Sequence, residues 1–188
     1  MNEALVANRP AGLTPVIRNR FSPRVFSPRA VTPAELERLF EAARWAASCF
    51  NDQPWHVVYA TKDDPAFAAI LSALVPFNQG WAQAAALVGF SVARSAFAQN
   101  GKPNGWAMYD TGAAMAQLSA QATAEGLVVH QMGGFDPAKA REVLGLPEGF
   151  EPAAAFAIGE PGKLEGKDAE PGTRKPVSEF VFRGRWGK

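Results

Sequence analysis

The sequence predicts one α+β domain, and three observations carry that expectation. Its 188 residues, 47% of them hydrophobic, suffice to bury one good core but fall short of two independent domains, so residues 1–188 are expected to form a single unit. Several segments open or close with helix-capping residues. Between them lie short apolar runs bounded by turn residues, as buried strands require.

Thr32-Pro33-Ala34-Glu35 begins the first clear helix, with an N-cap hydroxyl, proline at the first helical position and Glu three residues on. Leu36, Leu39, Phe40 and Ala43 then recur at helical spacing and predict one buried face. Val57 to Ala60 is β-prone, and Asp64-Pro65 restarts a helix through about Ala73. Ala84 to Val92 is small, apolar and unbroken, which favours an interior strand, although periodicity alone also allows a helix. Arg94 to Asn104, with Gly101 and Pro103, reads as a loop. Gly105 to Glu125 is apolar on most faces and stops at Gly126, so it is expected to be a helix at the centre of the fold. Leu127 to His130 reads as a strand, Asp136-Pro137 as the cap of a helix ending at Gly145, and Ala153 to Ile158 as a last buried strand. Gly159 to Thr173 has loop composition. The tail from Pro176 to Phe182 returns to alternating apolar residues and requires a partner surface.

Nineteen basic against eighteen acidic residues give a net charge of +1, which provides no field to recruit nucleic acid or an anionic membrane. No apolar stretch reaches the roughly 20 residues of a membrane span. Met1 to Pro10 lacks the basic start and apolar core of a secretory signal, so a cytoplasmic protein is expected. One cysteine, Cys49, excludes an internal disulfide and a multi-cysteine zinc site, and two histidines, His56 and His130, leave a metal site unexpected. Nucleophile-elbow, zincin, phosphate-loop and dinucleotide-binding motifs are all missing from the sequence, so an enzyme of this kind relies on a bound cofactor for its chemistry.

Three segments are candidates to hold one. Arg18-Asn19-Arg20-Phe21-Ser22-Pro23-Arg24 concentrates guanidiniums beside a hydroxyl and suits phosphate oxygens, or else forms an exposed basic arm. Ser48-Cys49-Phe50-Asn51-Asp52-Gln53-Pro54-Trp55 offers amides that match the polar edge of a heterocycle, or is an ordinary helix-to-strand loop. Gln131-Met132-Gly133-Gly134 ends a strand with two glycines that admit a flat ligand, or simply turns the chain.

Taken in order, these segments resemble the nitroreductase family over roughly Val16 to Trp186. Arg20-Phe21-Ser22-Pro23-Arg24 looks like its R-x-S-x-R opening, and Ser48 to Trp55 looks like its S-S-x-N-x-Q-P-W turn. Phe77-Asn78-Gln79-Gly80-Trp81 resembles its N-Q-x-W segment, and Tyr109 to Ala114 resembles the opening of its central dimer helix. Gln131 to Asp136 is similar to its glycine segment, and Arg174-Lys175-Pro176 to its late basic contact. Phe21 stands where Arg or His is common, and Cys49 where Ser is common.

The resemblance implies a nitroreductase-like fold: a central, mostly antiparallel sheet flanked by helices, in an intertwined homodimer whose C-terminal arm, about residues 170–188, gives a strand to the partner. It implies FMN, with NADH or NADPH as hydride donor and a nitroaromatic, quinone or free flavin as small acceptor, in a ping-pong cycle; the alternative is a flavin-binding carrier or sensor without turnover. By the same resemblance Arg20, Ser22, Arg24 and Arg174 are expected at the phosphate and ribityl chain, Asn51, Gln53 and Asn78 at the ring, and the backbone of Gly133 and Gly134 at the hydride-accepting nitrogen. Phe21, Ser48, Cys49, Phe50 and Gln131 complete the expected cofactor site, together with Met132, whose side chain is expected near the ring. No side chain is expected to act as a nucleophile, and His56 and His130 are read as structural.

Overall fold

The computed structural model describes residues 9–170 and 172–187; Met1 and the rest of the segment read for a signal therefore lie mostly outside the described residues. Helix α1 spans Pro15–Asn19, α2 Pro33–Arg44, α3 Phe67–Ser72, α4 Pro76–Ala82, α5 Ala107–Ala124 and α6 Pro137–Leu144. The strands are β1 (Trp55–Thr61), β2 (Leu87–Arg94), β3 (Val128–Met132) and β4 (Phe150–Gly159). They form one sheet in the order β1-β2-β4-β3, with every neighbour antiparallel.

Helices cover both faces of this sheet, so β2 is buried along nearly its whole length and alternation along it sorts side chains between two cores. Val88, Phe90 and Val92 of β2 meet Ala155 and Ala157 of β4 on the side of α3, α4 and α6. Leu87 joins Phe156 and Ile158 on the other side, against Leu36, Leu39 and Ala43 of α2 and Met115, Leu118 and Ala122 of α5. Gly89 lies between Leu87 and Ser91 on this second face. A Cβ there would come within 2.6 Å of the Val58 carbonyl oxygen and 2.7 Å of the Phe156 ring, so only glycine lets β1 and Phe156 close over β2.

The predicted capping box is formed: Thr32 Oγ1 accepts from the Glu35 amide at 3.3 Å, and Glu35 accepts from the Thr32 amide at 2.8 Å. Glu35 also binds the Arg29 fork at 3.0 and 3.2 Å. Asp136 caps α6 through the amides of Ala138 and Lys139, and Gly145 ends it in the left-handed conformation.

Four expectations shift. The strand read over Ala84 to Val92 begins at Leu87, because Ala84 and Ala85 close the turn after α4 through bonds to the carbonyls of Trp81 and Ala82. The helix read from Asp64 begins at Phe67, since the Asp64 carboxylate accepts from the Ala66 amide and holds a turn. Helix α5 is not enclosed on all sides: Met108, Tyr109, Gly112, Ala116 and Gln117 face outward. The tail forms a single 3-10 turn at Val177–Glu179 in place of the alternating strand, with Val177, Phe180, Val181 and Trp186 57–88% exposed. Extended chain there needs a neighbouring edge to supply its hydrogen bonds. Among the described residues no helix is long and apolar enough to cross a membrane.

Replacing Gly89 with Ala should destabilise the chain by about 1–3 kcal/mol, read as a lower denaturant midpoint, because β1 and Phe156 must both yield. The Glu35 carboxylate is held down to about 2 from an ordinary 4.5, first by Arg29 and then by the Thr32 amide. A depressed folded value stabilises above the unfolded one and is lost as pH falls toward the folded one. Urea midpoints should therefore fall between about pH 4.5 and about pH 2, and Glu35→Gln should flatten that slope.

Candidate cofactor-binding site

Three guanidiniums converge beside α1. Arg9 Nη1 donates to the carbonyls of Arg18 and Arg20, each at 2.6 Å, and Arg20 Nη1 donates to Ser22 Oγ at 3.0 Å. Arg174 reaches the same place from the C-terminal loop and, among the described residues, donates only to the Thr173 carbonyl, at 2.7 Å. Among the described residues none of the three is paired with a carboxylate. Burial lowers the Arg20 pKa, and the charges of Arg9 and Arg174 lower it further. Cations that converge on a half-buried arginine and repel one another, with no carboxylate in direct contact among the described residues, suit an anion.

These arginines line a groove of about 470 Å³ with Leu13 and Ile17. Arg20 also borders a second recess of about 350 Å³, whose wall includes Ser22, Ala116, Ser119 and Gln131. Phe21 and Ser22 edge a third, of about 230 Å³, where Arg9, Arg20 and Arg174 face Asp168 and Glu170 across the recess without a direct ion pair. A cationic end and a largely apolar slot thus share Arg20, the arrangement a phosphorylated aromatic ligand needs.

The strand ending in the glycines closes one side. Gln131 points toward α5, where its Nε2 donates to Ser119 Oγ at 3.3 Å. Met132 points the opposite way: it is buried among the residues of the first core, so its side chain does not line an open slot as expected. The strand pleat sets this, since neighbouring residues must face opposite sides. The two glycines also differ. Gly133 has nothing within 4 Å of where a Cβ would stand, which leaves its backbone approachable. Gly134 is small for another reason, because Asn78 Nδ2 would lie 2.6 Å from such a Cβ and donates to the Gly134 carbonyl at 3.0 Å. Asn78 therefore sits against the glycine segment and holds its backbone with one amide proton.

The turn from Ser48 to Trp55 has unusual backbone geometry. Phe50, Asn51 and Gln53 all have positive φ, at 53°, 55° and 50°. Such conformations cost about 1–3 kcal/mol each without glycine and persist where surrounding structure over-determines them. Ser48 Oγ accepts from the Gln53 amide at 3.0 Å, and Gln53 Nε2 donates to the Asn51 carbonyl at 3.1 Å. The Cys49 amide donates to Asp110 at the start of α5, at 3.0 Å. Asn51 and Gln53 are exposed, and Phe50 stands 78% exposed beside Phe97. Within one chain this turn is remote from the arginine groove. Asp110 and Ser119 both lie on α5, and at about 1.5 Å per residue the helix separates them by roughly 14 Å.

Arg24 departs from the expected set. Its Nε and its backbone amide both donate to the Asp168 carboxylate, at 3.3 and 3.2 Å, and its guanidinium lies over the Phe77 ring. That neutralised pair does not line the groove of free guanidiniums. His130 lies against Trp81, with Nδ1 3.0 Å from the Pro23 carbonyl, and burial lowers its pKa, so it is a neutral structural group. Sequence reading missed Arg9, Ser119 and Asp168. Arg9 lies in no motif, whereas Ser119 was detectable as a hydroxyl on the buried face of α5, where it donates to the Met115 carbonyl at 2.8 Å.

Inorganic phosphate should raise the Tm of this chain, as any ligand specific to the folded state does. Arg174→Ala should remove that response and, at low salt, raise the Tm without ligand by relieving repulsion; an unchanged phosphate response places the anion elsewhere.

A sequence model of the nitroreductase family matches residues 17–160. A solved structure described as an oxidoreductase containing FMN is 33% identical and superposes with a TM-score of 0.88, covering 95% of this chain and 96% of that one. A nitroreductase family protein from Clostridium difficile 630 is 24% identical with a TM-score of 0.74, covering 90% and 96%. A putative nitroreductase in complex with FMN from Desulfovibrio desulfuricans is 22% identical with a TM-score of 0.75, covering 91% and 95%. At that identity, the last two speak for the fold alone. An uncharacterised 15.4 kDa protein in the ask 5′ region of Mycolicibacterium smegmatis is 36% identical over 89 residues, 44% of this chain, and the match spans 60% of that relative's length. With the antiparallel sheet between two helical layers and this match over most of its length, the chain belongs to the nitroreductase family.

Proposed function

We propose that this chain is an FMN-dependent oxidoreductase that takes hydride from NADH or NADPH and passes it to a small acceptor, a nitroaromatic, a quinone or free flavin. One observation carries the reading: the guanidiniums of Arg9, Arg20 and Arg174 have no carboxylate partner among the described residues and line a groove that adjoins, at Arg20, the largely apolar slot beside Gln131. The FMN contained in the 33% identical oxidoreductase fits that combination of charge and shape. Both substrates would use the same open face in turn, a ping-pong order that requires no separate nucleotide-binding fold.

Bound FMN would supply the two-electron chemistry that the chain's own side chains lack. Arg9, Arg20 and Arg174 would bind its phosphate through charge-assisted hydrogen bonds, and Ser22 would bind the adjoining ribityl hydroxyls. Gln131 and the open backbone at Gly133 would border the ring, with Asn78 bracing the segment that carries them. Asn51 and Gln53 would hold the polar ring edge. Because their turn lies so far along α5 from the groove of the same chain, a second copy is the natural source.

A homodimer with the flavin at its interface follows. Supporting it are the outward face of α5, with Gly112 and Ala116 among its residues, the exposed apolar tail, and the β1 edge that no described strand covers. The tail would become a strand on the partner's sheet, the extended form its alternation requires. A cytoplasmic setting, where reduced nicotinamide nucleotides are at hand, accords with this reading.

The purified protein should be yellow, sediment as a dimer, and bleach under anaerobic mixing with NADH or NADPH. Arg174→Ala should weaken FMN binding by about 1.5–3 kcal/mol while leaving riboflavin, which has no phosphate, unaffected. Tight FMN binding without bleaching would mark a carrier or sensor, and absence of FMN binding would end the proposal.

A further inference from the structure

We infer that Asp52 is a positioning residue for the cofactor site: through Arg94, the Ala98 amide and Asn104 its carboxylate holds the Phe50–Gln53 turn in its left-handed form and so presents the amides of Asn51 and Gln53 outward. The inference rests on the reading above that those two amides meet the flavin edge. It adds the device that makes them competent to do so.

The geometry is closed on every side. The Asp52 side chain is only 3% exposed. One oxygen accepts from the Ala98 backbone amide at 2.8 Å. The other accepts from Arg94 Nη2 at 2.9 Å and from Asn104 Nδ2 at 3.2 Å. Arg94 also donates from Nη2 to the Asp52 carbonyl at 3.2 Å, so the same guanidinium grips the side chain and the backbone of one residue. Burial alone would raise the pKa of this carboxyl, yet the Ala98 amide, Arg94 and Asn104 together bring it below its ordinary value, which keeps it charged at neutral pH.

These partners come from two directions. Arg94 ends β2, which pairs with the strand that follows the turn, and its amide donates to the Pro54 carbonyl at 2.9 Å. Asn104 belongs to the entry of α5, where its Oδ1 accepts from the Trp106 amide at 3.0 Å and its carbonyl from the Ala107 amide at 3.2 Å. Asp52 therefore fastens the turn to the sheet and to the central helix at once. Its two neighbours, Asn51 and Gln53, have positive φ and exposed side chains. Such a turn relaxes when its restraint is released, because nothing in Phe50 or Gln53 favours that backbone by itself. An arrangement serving only stability would not require three non-glycine residues in that conformation.

The test is a double-mutant cycle on the flavin-loaded protein, reading the FMN dissociation constant by fluorescence, the midpoint potential of the bound flavin, and the Tm of the ligand-free chain. Asp52→Asn keeps the shape and removes the charge. It should weaken FMN binding about tenfold and shift the potential, but in an Asn51→Ala/Gln53→Ala background the same change should alter affinity by less than about twofold. An equal loss in both backgrounds would overturn the inference, because Asp52 would then act on the fold as a whole. So would an unchanged affinity and potential in Asp52→Asn. If Asp52→Asn does not accumulate folded, Arg94→Gln breaks the same network from the other end and should give the same coupled loss; an unchanged affinity there overturns the assignment. Failure of the unaltered chain to bind FMN would instead strike the functional reading itself and this inference with it.

Discussion

Burial of the sheet on both faces is the constraint on which the rest depends. With helices on either side, β2 and β4 can hold almost no polar side chain, and Phe90 and Phe156, each fully buried, fill the two cores from opposite faces. Polar chemistry is displaced to strand ends, helix entries and loops. The candidate site follows this rule: Gln131 to Gly134 ends β3, Asp52 and Gln53 precede β1, Arg94 closes β2, and Arg174 lies beyond β4.

The same layering accounts for the mutual repulsion of the charges in the groove. Arg20 follows α1 and is pressed against the edge of the α5 layer, where burial and its neighbours Arg9 and Arg174 disfavour its charge. Several arginines elsewhere are paired with carboxylates. Arg29 binds Glu35, Arg38 binds Glu125, and Arg24 binds Asp168. In the groove, by contrast, three guanidiniums converge with no ion-pair partner among the described residues, an arrangement suited to an external anion. Like the turn at Phe50 to Gln53, the groove is a local departure from the most stable arrangement, and such departures concentrate where a ligand is bound.

Parts of the site were legible because they are local. Glycines after a strand, a hydroxyl between arginines, and amides in a turn each carry their chemistry within a few residues. Others were legible only by type: Arg24 has the same character as Arg20, yet one meets Asp168 and the other does not. Met132 and Gln131 adjoin in sequence and part at the pleat, one into the core and one toward α5. Arg9 belongs to no pattern. Its role comes from a fold that brings it beside residues distant in the chain.

The sequence by itself determined helices α2, α3, α5 and α6, with caps from Thr32 and Glu35 to Asp136 and Gly145, and the apolar strands between them, but not the short helices α1 and α4. Those features rest on hydrogen bonds and periodicities only a few residues long. It also placed the flavin-like segments in family order. Tertiary structure alone decided the strand order β1-β2-β4-β3; its antiparallel sense came from the sequence only through the family resemblance, since alternating helices and strands are equally compatible with a parallel winding. It decided as well which guanidiniums go without a partner and that a turn without glycine adopts left-handed geometry. Those outcomes depend on contacts between residues far apart in the chain, and no local pattern encodes them.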